Sequence, residues 1–282
     1  MNKYKKPKRK LNKRRRYLRI FSRFFILFLF IFLIIFSLKN SNFFNIKNII
    51  VEGNKKVTLN EIKKAGNLEK GNKFFLISKK DRISNIENIP YIKDGKINYS
   101  LNGNVRIKVT ERIPYYQLES TNYLLVDEHF RILENSESKS ENVVNLIGLN
   151  VEDPQPGNYI LKFDEDKEKR NLLVELKNPE YNLVGNIKDI ELLDSISTFI
   201  TIDGIKIEFG SYNNISYKLK MLSLILEDIK NTNKNAIIIQ MEKGENPILI
   251  TDDSNNLKSK ENKEENNTDS NKRYIEKNKQ EV

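Results

Sequence analysis

The chain has no cysteine and only one histidine, His129, in 282 residues. Without cysteine there is no disulfide, no thiol nucleophile and no thiolate site for zinc or an iron–sulfur cluster. With one histidine, neither a His-based triad nor a multi-histidine metal centre has its full set of side chains. Acids are missing from the first 23 residues, whereas twelve bases stand there: Lys3, Lys5, Lys6, Lys8, Arg9, Lys10, Lys13, Arg14, Arg15, Arg16, Arg19 and Arg23. Any exported part of this chain is held by its own apolar core.

The longest apolar run is Phe24 to Leu38, FFILFLFIFLIIFSL, without a charge. Fifteen helical residues reach about 22 Å, and starting at Ile20 with a snorkelling Arg23 brings residues 20–38 close to the roughly 30 Å of a bilayer core. Phe24, Phe28, Phe32 and Leu38 mark this membrane anchor. A secretory signal peptide is the competing reading, but it requires small residues at its cleavage site, and Ser37 to Asn42 offers no such pair. Only Lys39 and Lys47 follow within fifteen residues of Leu38, so the positive-inside rule leaves the basic tail, residues 1–19, in the cytoplasm and exports the rest.

The net charge of +11 suggests a nucleic-acid partner until its location is examined. Removing the twelve N-terminal bases from the 49 leaves 37 against 38 acids, so the exported part is near neutral. A basic run beside a span is accounted for by topology and by attraction to anionic lipid headgroups, and no aromatic-interleaved folded domain accompanies it. Nucleic acid is therefore not an expected partner.

Beyond the anchor, Asn45 to Gly53 reads as a strand that ends on Gly53-Asn54. Thr58 and Glu61 form a capping box ahead of a helix that Gly66 closes, and Ser78 with Asp81 starts a second helix whose stripe is Ile83, Ile86 and Ile89. Lys96 to Leu101 and Val105 to Val109 alternate on either side of Asn102-Gly103-Asn104, a hairpin signal. The order strand, helix, helix, strand, strand predicts a three-stranded sheet with both helices on one face.

These residues resemble the FtsQ-type POTRA domain of the FtsQ/DivIB family. Its Ile-x-Val-x-Gly-Asn opening corresponds to Ile49, Val51, Gly53 and Asn54, and its Val-x-Glu-Arg-x-Pro close to Val109, Glu111, Arg112 and Pro114. The following Val-Asp-x-x-Gly turn matches at Val126 and Asp127, but Phe130 stands where glycine is usual. The resemblance covers residues 10 to 250 and implies an α+β chain in this order: basic tail 1–19, transmembrane helix 20–38, POTRA domain 44–113, β-rich domain 114–251 and tail 252–282.

Within the β-rich part, Tyr115 to Leu118, Tyr123 to Val126 and Arg131 to Leu133 read as strands, with His129 in a solvated turn. Val143 to Leu149 reads as another. A helix is expected within Asp164 to Lys177. Ile187 to Leu193, Phe199 to Ile202 and Ile205 to Phe209 are further strands, the last two joined by Asp203-Gly204. Ile215, Leu219, Leu222, Leu226 and Ile229 form a helical stripe, and Ala236 to Met241 and Pro247 to Ile250 read as the last strands. Ile239-Gln240-Met241 replaces the Asp-Leu-Arg usual in the family. From Asp252 on, the composition is too polar to offset the entropy of ordering.

The resemblance implies a non-catalytic scaffold of the bacterial division machinery, with no cofactor and no catalytic residue. It implies as partners coiled-coil bitopic proteins of the FtsB/DivIC and FtsL type and the septal peptidoglycan synthesis machinery, with the chain enriched at the septum. A terminal strand at a sheet edge would bind through Ile237, Ile239, Ile248, Leu249 and Ile250. Two other readings are a cell-envelope hydrolase with paired carboxylates, and an assembly or secretion factor bearing POTRA modules; the latter ends in barrel strands absent here.

Overall fold

The computed structural model describes residues 9–40, 42–74, 77–100, 102–183, 186–242 and 246–252. The tail expected to be disordered lies, from residue 253 on, outside the described residues. The chain divides into two compact units, Met1–Glu111 and Arg112–Val282.

The first unit begins with helix α1, Arg9–Asn40, longer at both ends than the expected span. No glycine or proline interrupts these residues, and arginine, lysine and leucine are good helix formers, so the basic run continues the helix. Its stretch Arg14–Ser37 is long and apolar enough to cross a membrane.

Next come strand β1 (Asn48–Glu52), helices α2 (Leu59–Ala65) and α3 (Lys79–Glu87), and strands β2 (Ile92–Tyr99) and β3 (Asn104–Glu111). The sheet order is β1-β3-β2, with β1 parallel and β2 antiparallel to the central β3. The capping box of α2 is present in full: Glu61 N–H donates to Thr58 Oγ1 and Thr58 N–H to the Glu61 carboxylate. Gly66 closes α2 as read, in a right-handed conformation (φ −74°), and Asn67 takes the left-handed turn (φ +48°). One sequence expectation shifts. Strand β2 begins at Ile92, four residues before the alternation in the sequence becomes clean, because a bulge between Ile92 and Asp94 interrupts its pairing with β3.

Close approach explains one signature glycine. A Cβ on Gly53 (φ +91°) would fall 2.1 Å from the Val109 carbonyl oxygen, so only glycine lets the chain leave β1 across β3. The core lies between the sheet and its two helices: Ile62, Ile86, Ile97 and Ile107 are all fully buried.

The second unit holds strands β4 (Pro114–Glu119), β5 (Tyr123–Asp127), β6 (Ile132–Ser136), β7 (Val144–Ile147), helix α4 (Lys167–Glu175), β8 (Ile187–Leu192), β9 (Thr198–Ile202), β10 (Ile205–Glu208), helix α5 (Ile215–Thr232), β11 (Ala236–Gln240) and β12 (Ile248–Thr251). They form one nine-stranded mixed sheet in the order β12-β11-β10-β9-β8-β7-β4-β5-β6. Helices α4 and α5 serve as the crossovers between parallel strands, β7 to β8 and β10 to β11, since parallel neighbours require a long connection. One row of cross-strand partners, Leu118, Leu146, Ile190, Ile200, Ile207 and Ile239, is buried, together with Leu172 and Leu173 of α4 and Leu219 and Leu222 of α5. Asp203 and Gly204 both have positive φ, as the tight turn between β9 and β10 requires.

Candidate partner-binding edge

Strand β12 is the last element of the nine-stranded sheet and has a single neighbour, β11, among the described residues. The segment AIIIQ of β11 follows α5, whose left-handed C-cap, Asn233, turns the chain back beside β10. Antiparallel pairing then sets Gln240 opposite Ile248, Ile239 opposite Leu249 and Ile238 opposite Ile250. Alternation divides these side chains between two faces. Ile239 is fully buried in the core, and Leu249 is partly buried against it. Ile248, 44 % exposed, and the half-buried Ile238 and Ile250 belong to the opposite face. Ile237 lies at the bulge between Ala236 and Ile238 and is half-buried.

The other end of the same sheet is guarded. At β6, Ile132 N–H donates to Asn158 O and Gly157 N–H to Ile132 O, both at 2.8 Å, and Arg131 pairs with Tyr159. An unpaired strand edge recruits other strands, and natural sheets cover edges that are not in use. Among the described residues, β6 is met in this way at Ile132, and β12 has no second strand beside it.

The remaining signature residues have structural tasks. Ile49 and Val51 are half-buried on β1, and Asn54 Nδ2 donates to Val57 O at 2.9 Å. The Glu111 carboxylate accepts from Lys56 N–H and Val57 N–H at 2.8–3.1 Å. Burial pushes its pKa up, but these bonds, one from Lys55 N–H and the Lys55 charge together hold it below the usual value. Pro114 starts β4 opposite Asp127. Arg112 Nη1 donates to Asp127 Oδ2 at 2.6 Å, and Asp127 Oδ1 accepts from His129 N–H and Arg131 N–H, each at 2.9 Å. Asp127 is 2 % exposed, so one carboxylate holds the whole turn. His129 is exposed beside Glu128, as expected of a turn position.

Phe130, in the usual glycine place, does adopt the left-handed backbone, φ +71°. Such a conformation is costly for a bulky residue and persists only where surroundings hold it. The ring is 2 % exposed, stacks on Tyr116 at 5.8 Å and lies under the cations of Arg170 and Lys177. Burial lowers the Lys177 pKa, against the pull of Glu128 and Asp127, and its ammonium donates to Glu128 O. Sequence reading identified the mismatch at Phe130 but not the cluster that supports it, because Arg170 and Lys177 are remote in the chain.

Phe24, Phe28 and Phe32 are exposed along α1, and Leu38 lies near its end. Among the described residues no three His, Cys, Asp or Glu side chains converge on a point where a metal could sit. A polar hollow of about 310 Å³ lies on the POTRA sheet, lined by Ile50, Asn98, Ser100, Asn104, Val105 and Arg106.

The FtsQ-type POTRA domain family matches residues 44–112. The chain is 27 % identical to the cell division protein DivIB of Clostridium botulinum (strain Hall) over 213 residues, covering 73 % of this chain and 82 % of the relative. It is 28 % identical over 208 residues to cell division protein DivIB of Clostridium acetobutylicum, with 73 % and 82 % covered, and 26 % identical over 219 residues to that of Clostridium tetani, with 74 % and 80 % covered. An N-terminal apolar span, an FtsQ-type POTRA domain and a β-rich domain follow one another in this chain, which is similar over 73 % of its length to DivIB cell division proteins.

Proposed function

We propose that the chain is a non-catalytic, bitopic scaffold of the division machinery, enriched at the septum, where it holds other division proteins and supports septal cell-wall synthesis. The basic tail stays in the cytoplasm, and the POTRA and β-rich domains lie outside the membrane. The partners are bitopic coiled-coil proteins of the FtsB/DivIC and FtsL type, one of which contributes a strand to β12. Backbone pairing supplies affinity, and Ile248, Leu249 and Ile250, backed by Ile237 and Ile239, shape the edge that the partner meets.

The observation that carries this reading is the asymmetry of the nine-stranded sheet: the β6 end is met at Ile132 by residues 157–158, whereas β12 has β11 as its single strand neighbour among the described residues. A fluorescent fusion imaged in dividing cells tests the assignment. A band at the septum is the expected result, and uniform membrane fluorescence throughout the cycle would refute it.

A further inference from the structure

The chain leaves its apolar span and enters the POTRA domain within a few residues. Helix α1 ends at Asn40, and a single 3-10 turn, Asn42–Phe44, follows it. From Ser37, where the span Arg14–Ser37 closes, Asn45 is at most about 18 Å away even if helix, turn and the linking residues all run straight outward. The headgroup layer takes up about 5–7 Å of that distance, so residue 45 stands within about two Debye lengths of the lipid surface.

Hydrogen bonds fix what else lies at that height. Ile46 N–H donates to Asn72 O at 2.9 Å and Gly71 N–H to Ile46 O at 2.8 Å, Asn45 bridges to Lys73, and Lys47 N–H donates to Gly103 O at 2.8 Å. Aromatic rings continue the junction: Phe44 meets Phe74 edge-on at 5.7 Å, and Phe74 stacks at 5.0 Å on Tyr99, the last residue of β2. Helix α3 runs antiparallel to β2, since Glu87 accepts from Gly95 N–H at one end and the charge of Arg82 acts on Tyr99 at the other. Its first turn therefore lies at the Tyr99 end as well. Segments far apart in sequence thus share the end of the domain nearest the bilayer.

This end is basic. Lys47, Lys70, Lys79 and Lys80 are exposed and Lys73 is half-buried, against Glu69 and Asp81. Among the described residues no acid pairs with any of these five lysines. The opposite end collects Glu52, Glu61, Glu87 and Glu111 against Lys55 and Lys56, with the neighbours Lys93 and Asp94 cancelling. Charge is sorted along the axis of the domain, and the basic pole is the one that the span holds beside the lipid. Each lysine brought to an anionic membrane surface strengthens binding about fivefold. We propose that this pole of the POTRA domain rests on the bilayer, with Lys47, Lys70, Lys73, Lys79 and Lys80 binding the headgroups of anionic phospholipid, so that the domain stands in one orientation on the membrane. The inference rests on α1 crossing the bilayer and holds for either side of it; β12 plays no part.

The test uses the full-length chain reconstituted in vesicles of phosphatidylcholine alone, or of equal parts phosphatidylcholine and phosphatidylglycerol, each with a trace of lipid carrying a nitroxide on its headgroup. Because the chain has no cysteine, a fluorophore can be attached singly at Asn72→Cys on the basic pole or at Lys55→Cys on the opposite one. Quenching at residue 72 should be several-fold stronger in the anionic vesicles than in the neutral ones, with little at residue 55 in either. Changing the five lysines of the pole to glutamine should bring residue 72 down to its neutral-vesicle level, whereas glutamine at Lys55, Lys56, Lys93, Lys96 and Lys108, the same charge removed elsewhere, should leave it unchanged. The vesicle comparison needs no lysine variant and decides the matter if one of them fails to fold. Equal quenching in the two kinds of vesicle, equal quenching at residues 55 and 72, or equal loss in the two folded variants would overturn the proposal. A chain stripped from the vesicles by alkaline carbonate would overturn the span itself, and this inference with it.

Discussion

The Arg112 guanidinium lies 2.6 Å from the Asp127 carboxylate, and each side chain is largely withdrawn from water, 13 % and 2 % exposed. Arg112 belongs to the closing signature of the POTRA sequence, yet its partner is the turn that joins β5 to β6. A charge-assisted bond at this depth is strong because little water competes for either group. Asp127→Ala removes the acceptor for Arg112 and for two backbone N–H groups together. It should destabilise the β-rich domain by about 2–4 kcal/mol in urea unfolding of the detergent-solubilised chain. Arg112→Met with Asp127→Asn, which discards the charges and keeps acceptor oxygen for the turn, should recover part of that loss.

Gly103 closes the β2–β3 hairpin at φ +85°, and a Cβ there would fall 2.7 Å from the Asn45 carbonyl oxygen. Its own carbonyl accepts from Lys47 N–H, so the backbone cannot simply move away. Gly103→Val therefore meets conformational strain and a collision together, and should lower POTRA stability by about 2 kcal/mol or more. Gly103→Asn relieves only the strain and should fall between the two. Equal melting of all three proteins would disprove this account of the turn.

Glu111 makes the POTRA domain sensitive to acid. Its folded pKa lies below the ordinary glutamate value of 4.5, so its contribution is complete above that pH and is lost as the pH falls through the lower, folded value. At pH 7, Glu111→Gln should cost about 1–2 kcal/mol by weakening bonds from three backbone N–H groups to a charge. The gap between the two proteins should narrow below pH 4.5, as followed by thermal melts across pH 7 to 3.

Arg82 on α3 is 1 % exposed, with Nε and Nη1 buried without a hydrogen-bond partner, and its charge acts on the neighbouring Tyr99 hydroxyl, opposing the burial that raises that group's pKa. A desolvated cation with unsatisfied donors weakens a core. Arg82→Met keeps the stem's packing and sheds the charge, and should raise the stability of the domain by roughly 1–3 kcal/mol. A lowered melting temperature would show that the guanidinium is better satisfied than its geometry indicates.

Leu249→Pro removes a backbone donor from β12 and disfavours strand addition there. Because Leu249 also packs against the core, circular dichroism must first show a folded protein; Ile248→Asp, on the open face, is the companion that spares the core. Pull-down of the proposed coiled-coil partners should fall with Leu249→Pro. Undiminished capture would place the partner on another surface.

Local chemistry was legible wherever neighbouring residues decide the outcome. The capping box at Thr58 and Glu61, the turn at Asp203-Gly204 and the apolar stripe of α5 each rest on contacts within a few residues, and each is present as read. The start of β2 was misplaced because its first residues alternate poorly and owe their place to β3. The order of the nine strands was not legible at all: Tyr116 pairs with Val144, and Asn145 with Asp189, across long stretches of chain.

What the sequence alone determined is therefore the anchor, the identity of the elements and the resemblance to a family, because charge, periodicity and short motifs are local properties of a chain. Tertiary structure decided which strands end the sheet, why Phe130 can stand in a glycine's place, and that Arg82 and Asp127 are buried. Each of these depends on groups distant in sequence meeting in space, where one neighbour's presence decides whether a backbone group, a strained φ or a charge is satisfied.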